Sequence, residues 1–181
     1  MVAKLVLVEH DPAWKNMYSR EAQQIKNLLS DELLEIYHIG STAVPGLIAK
    51  PIVDILCVVK DLEALDALQK AVVVHGYEWK GEYGIPGRRF ITKPNPNRSN
   101  DQLDNIAHIH CFAQNSLHIQ RHLDFRNYLI KHPECVQRYA DLKKKLFMRG
   151  VDRDSYQAQK ADFIKMVEQA ALEDEQVLRK K

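Results

Sequence analysis

Asp54 is the one charge inside the apolar run from Ile52 to Val59. A lone carboxylate in a buried strand costs several kcal/mol unless it is paired, hydrogen-bonded or bound to a metal. Asp54 is therefore the candidate catalytic carboxylate and a candidate metal ligand. The plain alternative is an aspartate at a sheet edge, satisfied by backbone groups or by Lys50. His108 and His110 form a second element. Strand side chains alternate, so residues two apart share a face, and two imidazoles there can converge on one ion. Two half-buried histidines bonded to their neighbours would give the same spacing. His38 joins Asp54, His108 and His110 as a metal ligand if the topology brings them together.

The segment from His38 to Leu47 supplies a third element. Gly40 allows a tight turn and the close approach of a ligand. Ser41 and Thr42 add hydroxyls, and free N–H groups at a helical turn favour a phosphate. The same residues also suit an ordinary strand-to-helix turn. Contacts to a nucleotide or other phosphate are expected from Gly40, Ser41, Thr42, Lys50, Arg88, Arg89, Arg121 and Lys160. Arg88 and Arg89 are adjacent on a strand, so only one of them can face the site. Arg121 and Arg126 lie five apart, about 140° around a helix, and form no single patch. Lys160 shares a helix face with Tyr156. No P-loop, dinucleotide fingerprint, nucleophile elbow or zincin motif occurs in the chain.

Mixed elements must position these groups. Strands are expected at Leu5 to Val8, Glu35 to His38, Pro51 to Val59, Tyr77 to Glu82, Arg88 to Thr92 and Ile106 to Phe112. The continuous apolar run of 52–59 suits a strand covered on both faces. A helix opens at Asp11-Pro12 and runs to Leu29, and another runs from Asp61 to about His75-Gly76. The polar stretch Pro94 to Asn105 reads as a loop. After Ser116 the pattern is helical, at about 116–131, 133–149 and 155–178, with Pro133 and Gly150 as punctuation. One domain of 181 residues follows, mixed α/β over about 1–115 and helical over about 116–181.

Composition narrows the function classes. The net charge of +2 shows no dominant basic block, so dedicated nucleic-acid binding is not expected. Cys57, Cys111 and Cys135 are widely spaced, which argues for free thiols rather than a disulfide framework. There is no apolar run of about 18 residues, so no membrane span is expected and the cytoplasm is the default compartment.

Several runs together resemble the GrpB family: LVEHDPAWKNMY (7–18), HIGSTAVPGLIAKPIVDIL (38–56), GYEWKGEYGIPGRRF (76–90), HIHCF (108–112), RHLDFRNYL (121–129) and YADLKKKL (139–146). That family is grouped with the polymerase-β-like nucleotidyltransferase superfamily. The resemblance implies an α/β (α+β) fold, a mixed sheet flanked by helices with a helical C-terminal part. It implies that Gly40-Ser41 matches the superfamily's Gly-Ser pair and Asp54 its first metal-binding acid. Leu56 departs from the pattern, because a second carboxylate belongs there. His108 and His110 stand on the strand expected to carry a third acid, and imidazoles favour zinc or manganese over magnesium. The resemblance also implies a link to CoA metabolism, since GrpB-like domains occur fused to dephospho-CoA kinase.

Three functions compete on this reading. One is nucleotidyl transfer to an acceptor, using a divalent metal (Mn, Zn or Mg). Another is a non-catalytic module that binds a nucleotide or phosphorylated metabolite. The third is an interaction domain in which Asp54 and the histidines are structural.

Overall fold

The computed structural model describes residues 6–97 and 103–179. Its centre is a five-stranded mixed sheet of order β1-β2-β5-β4-β3. The strands are β1 (Leu33–Ile39), β2 (Val53–Val59), β3 (Glu78–Trp79), β4 (Arg88–Pro94) and β5 (Asn105–Ala113). β2 pairs with β5 in parallel, and the other pairings are antiparallel. Helices α1 (Ala13–Leu29), α2 (Leu62–Ala67) and α3 (Gln69–Val74) belong to the sheet half. Helices α4 (Leu117–Lys131), α5 (Pro133–Met148) and α6 (Arg153–Arg179) follow it. None of the described helices is long and apolar enough to cross a membrane.

Alternation along β2 sends its apolar residues to two cores. Val53, Ile55, Cys57 and Val59 join Ala107, Ile109 and Cys111 of β5 against Trp14, Ile25 and Leu29 of α1. In α1 those residues recur at helical spacing on the face that meets the sheet. Leu56 packs with Ile39 and Phe112 on the opposite face, where Ile119 and Leu123 of α4 cover them. A third cluster joins Val44, Leu47 and Ile48 to Leu129, Tyr139 and Val167 of the three C-terminal helices. The segment after Gly40 is thus wedged between the sheet and the helical half.

Several expected elements change. Only Val8 of the first expected strand pairs, through a single bridge to Ala49, and Leu5 lies outside the described residues. The Asp11 carboxylate accepts the Ala13 N–H at 2.8 Å, so α1 starts one residue beyond Pro12. The helix expected over 61–76 is two short ones that meet at Leu68. Asp61 does cap the first of them, accepting the Glu63 N–H at 2.7 Å. The strand expected over 77–82 shrinks to Glu78–Trp79, because Gly81 and Tyr83 both take positive φ and turn the chain. The thiols of Cys57, Cys111 and Cys135 are free and buried.

Candidate functional site

Register builds the site. Asp54 stands opposite His108, which stands opposite Thr92, and residues paired across strands share a face. Leu56, His110 and Phe90 form the next row of that face, and Val58, Phe112 and Arg88 the one after. The Asp54 Oδ1 lies 3.3 Å from His108 Nδ1 and 3.7 Å from His110 Nε2. Burial pushes this carboxyl up, but the two imidazoles outweigh it and hold the group below the usual carboxylate range. Two residues further on, Leu56 is fully buried in the α4 contact.

Gly40 closes the near side. Its φ of 69° and ψ of −168° lie in a region that essentially only glycine occupies. A Cβ there would overlap the Asp54 carboxylate and come within 3.0 Å of that residue's Cβ and Cγ. The backbone turn and the carboxylate therefore touch. Ser41 follows at once and receives a bond from a residue of α5. Lys143 Nζ donates to Ser41 Oγ at 2.6 Å and to the Ile48 carbonyl at 2.9 Å. Lys143 is only 2% exposed, and burial pushes its ammonium well below the usual lysine range. Since Ser41 Oγ accepts from an ammonium, its own proton is available to another acceptor.

Two more lysines complete the basic side. Lys160 of α6 stands over the Tyr156 ring at 5.0 Å, and Lys50 stands over the same ring at 5.9 Å. Burial pushes the Lys160 ammonium down to about 8, while the Asp54 charge holds it up and Lys50 lowers it further. The Asp54 charge also acts on Lys143. Arg88 is buried at the far side and approaches His110 Nδ1 with Nη1 at 3.4 Å. His122 of α4 lies 5.6 Å from His110, ring to ring, and burial pushes it down to about 3. It is a neutral imidazole at physiological pH.

The structure therefore brings together Asp54, His108, His110, Gly40, Ser41, Lys50, Arg88 and Lys160. It does not bring in the other expected residues. His38 pairs with Ile55, so its ring leaves by the opposite face, where it stacks on Tyr18 at 4.7 Å. Its Nε2 contacts the Thr42 hydroxyl at 3.0 Å, which commits Thr42 inward as well. Arg89 is on that opposite face too and grips Asp66 with two bonds of 2.6 and 2.7 Å. Arg121 is bonded to Glu168 of α6 at 2.7 Å. Arg126, its neighbour on α4, instead reaches the His38 carbonyl at 2.9 Å. Lys143 and His122 are the residues sequence reasoning missed. The signal for Lys143 was its place on the buried stripe Tyr139, Ala140, Lys143, Leu146 of α5.

The donor set does not fit a pair of magnesium ions. Such a pair needs converging carboxylates, and the residue two positions beyond Asp54 on the same face is the apolar Leu56. With His38 on the other face, no group of three or more His, Cys, Asp or Glu among the described residues is placed to hold a metal ion. What the site does offer is an ionised carboxylate between imidazoles, and a hydroxyl backed by the buried Lys143.

Comparison with known proteins places this architecture. A mixed sheet with following helices is shared with a Cid1 poly(U) polymerase mutant solved with MgATP bound. The TM-score there is 0.50 at 10% identity, covering 75% of this chain and 42% of that one, a likeness of fold alone. Residues 4–170 match the GrpB protein family, and the chain belongs to that family. The crystal structure of the conserved protein GrpB from Enterococcus faecalis superposes with a TM-score of 0.84 at 39% identity, covering 93% of this chain and 98% of that one. The UPF0157 protein YqkA of Bacillus subtilis is 35% identical over 169 residues. That stretch is 93% of this chain but 47% of YqkA, so the chain spans about half the length of that relative.

Proposed function

We propose that this domain binds the phosphate chain of a nucleotide or a related phosphorylated metabolite at the Gly40–Ser41 turn. The Lys143–Ser41 contact carries the reading. A lysine buried to 2% with no carboxylate in bonding contact is expensive, and it stands directly behind a hydroxyl on a glycine turn. That arrangement is costly for a fold and useful for an anion. Ser41 donates to a phosphate oxygen, Lys160 supplies a half-buried charge, and Lys143 fixes the hydroxyl and adds field from below. The likeness of fold to a polymerase described with MgATP bound is consistent with a nucleotide as the ligand. Asp54 touches the same turn, and its carboxylate faces His108 and His110.

Tripolyphosphate is the direct probe, used on the whole chain with EDTA present. Lys160 titrates at about 8, and its ammonium is the binding form, so its contribution is present below that pH and is lost above it. Each pH unit beyond the pKa removes up to about tenfold in affinity. Arginine stays charged throughout. Between pH 7 and pH 9 the affinity of Lys160→Arg should therefore gain about tenfold relative to the unaltered chain. This comparison cancels the titration of the probe itself. A constant ratio across that interval contradicts the placement of Lys160 against the phosphate.

Nucleotidyl transfer is a second reading, favoured by the 3.3 Å contact of Asp54 with His108. A carboxylate that orients an imidazole leaves the other ring nitrogen as a base for an acceptor hydroxyl. With a hydroxyl acceptor supplied beside each of the four nucleoside triphosphates, the acceptor oxygen should bond to the α-phosphorus as pyrophosphate leaves, both products being detected by mass spectrometry, and Asp54→Asn should lower the rate by on the order of a hundredfold or more. Triphosphates recovered unchanged leave the binding reading alone.

A further inference from the structure

Tyr83 leaves 59% of its surface to solvent, yet it lies in a firmly held loop between β3 and β4. The buried Arg88 donates to the Tyr83 carbonyl at 2.7 Å and to the Glu82 carbonyl at 3.2 Å. The Glu82 side chain in turn accepts the Gly87 N–H at 2.7 Å. Tyr83 itself has a φ of 46°, which is uncommon for a bulky residue. One face of its ring stacks on Phe90, with centroids 5.2 Å apart and planes at 23°. Phe90 lies under the Arg88 guanidinium at 4.8 Å and beside the rings of His108 and His110 at 5.4 and 5.1 Å. Beyond its contact with Phe90, Tyr83 is exposed, with surface left to meet a ligand. The contacts run without a break from Tyr83 through Phe90 and His108 to Asp54 and the Gly40–Ser41 turn.

We propose that Tyr83 is a platform for the base of a nucleoside phosphate whose phosphates lie toward Ser41 and Lys160. This rests on the phosphate-binding reading above and names its ligand as one with an aromatic face. Phe90 and Arg88 hold the platform rigid, so little side-chain freedom is lost when a base stacks on it. Stacking accepts any base, because each has a π-face. Purines and pyrimidines should therefore bind with similar affinities.

Isothermal titration of the full chain with ATP and with tripolyphosphate, both in EDTA, tests the assignment. Tyr83→Ala should lower ATP affinity about tenfold and leave tripolyphosphate binding unchanged. Tyr83→Trp should keep ATP binding. If Tyr83→Ala binds ATP as tightly as the unaltered chain while tripolyphosphate still binds, the platform is wrong and the phosphate site stands. An equal loss of both ligands would make Tyr83 a support of the loop, and also overturns the platform. Absence of tripolyphosphate binding to the unaltered chain removes the phosphate reading and this one with it.

Discussion

Gly40→Ala should destabilise the protein by about 3 kcal/mol and abolish phosphate binding. Two penalties add. The backbone angles of 69° and −168° cost a non-glycine residue about 1–3 kcal/mol. The new methyl then overlaps the Asp54 carboxylate, whose Cβ and Cγ stand within 3.0 Å of it. The carboxylate has little room to retreat, since His108 and His110 meet it on the adjacent strand. Either the turn swings out, taking Ser41 from Lys143, or Asp54 leaves its imidazoles. Urea denaturation reads the stability loss, and titration with tripolyphosphate reads the binding. A loss below about 1 kcal/mol would mean that turn and carboxylate are not in contact.

Lys143→Met should act in opposite directions on stability and on binding. The side chain is buried with its ammonium, and its bonding partners are a hydroxyl and a carbonyl rather than a carboxylate. The Tyr139 ring at 4.3 Å adds only part of the missing solvation. Methionine keeps an unbranched stem of similar size and removes the buried charge. Against this, the Ile48 carbonyl and Ser41 lose a donor, worth about 1–2 kcal/mol. Desolvation of an ammonium exceeds that. The unliganded variant should therefore be more stable by about 1 kcal/mol, while tripolyphosphate affinity falls by about tenfold to a hundredfold. A lysine kept for the fold alone predicts the reverse: lower stability and unchanged binding.

The parts of the site that survive from sequence to structure are those fixed by local pattern. Asp54 is a lone charge in a run that suits a strand covered on both faces, and strand alternation puts both histidines of His-x-His on one face. Their meeting needed the parallel pairing of β2 with β5, which no local feature specifies. The residues that went elsewhere were decided by parity. His38 sits one position before Ile39, which pairs with Asp54, and that single step sends its ring to the α1 side. Arg88 and Arg89 differ in the same way, and the antiparallel register of β4 on β5 chose Arg88. Lys143 was hidden in the run Lys143-Lys144-Lys145, which reads as a solvated face until helix packing buries its first member. The Thr42 hydroxyl suits a phosphate by type, but it turns to His38. The helical half was legible in extent and not in purpose. It places Lys143 of α5 against a turn far away in sequence.

Whether the Gly40–Ser41 turn binds phosphate is decided by crystals of the full chain grown with ATP and without divalent ions. Phosphate density should be bonded to the Ser41 hydroxyl and face the Lys160 ammonium. Ligand density elsewhere on the molecule, with Ser41 bonded only to Lys143, would contradict it.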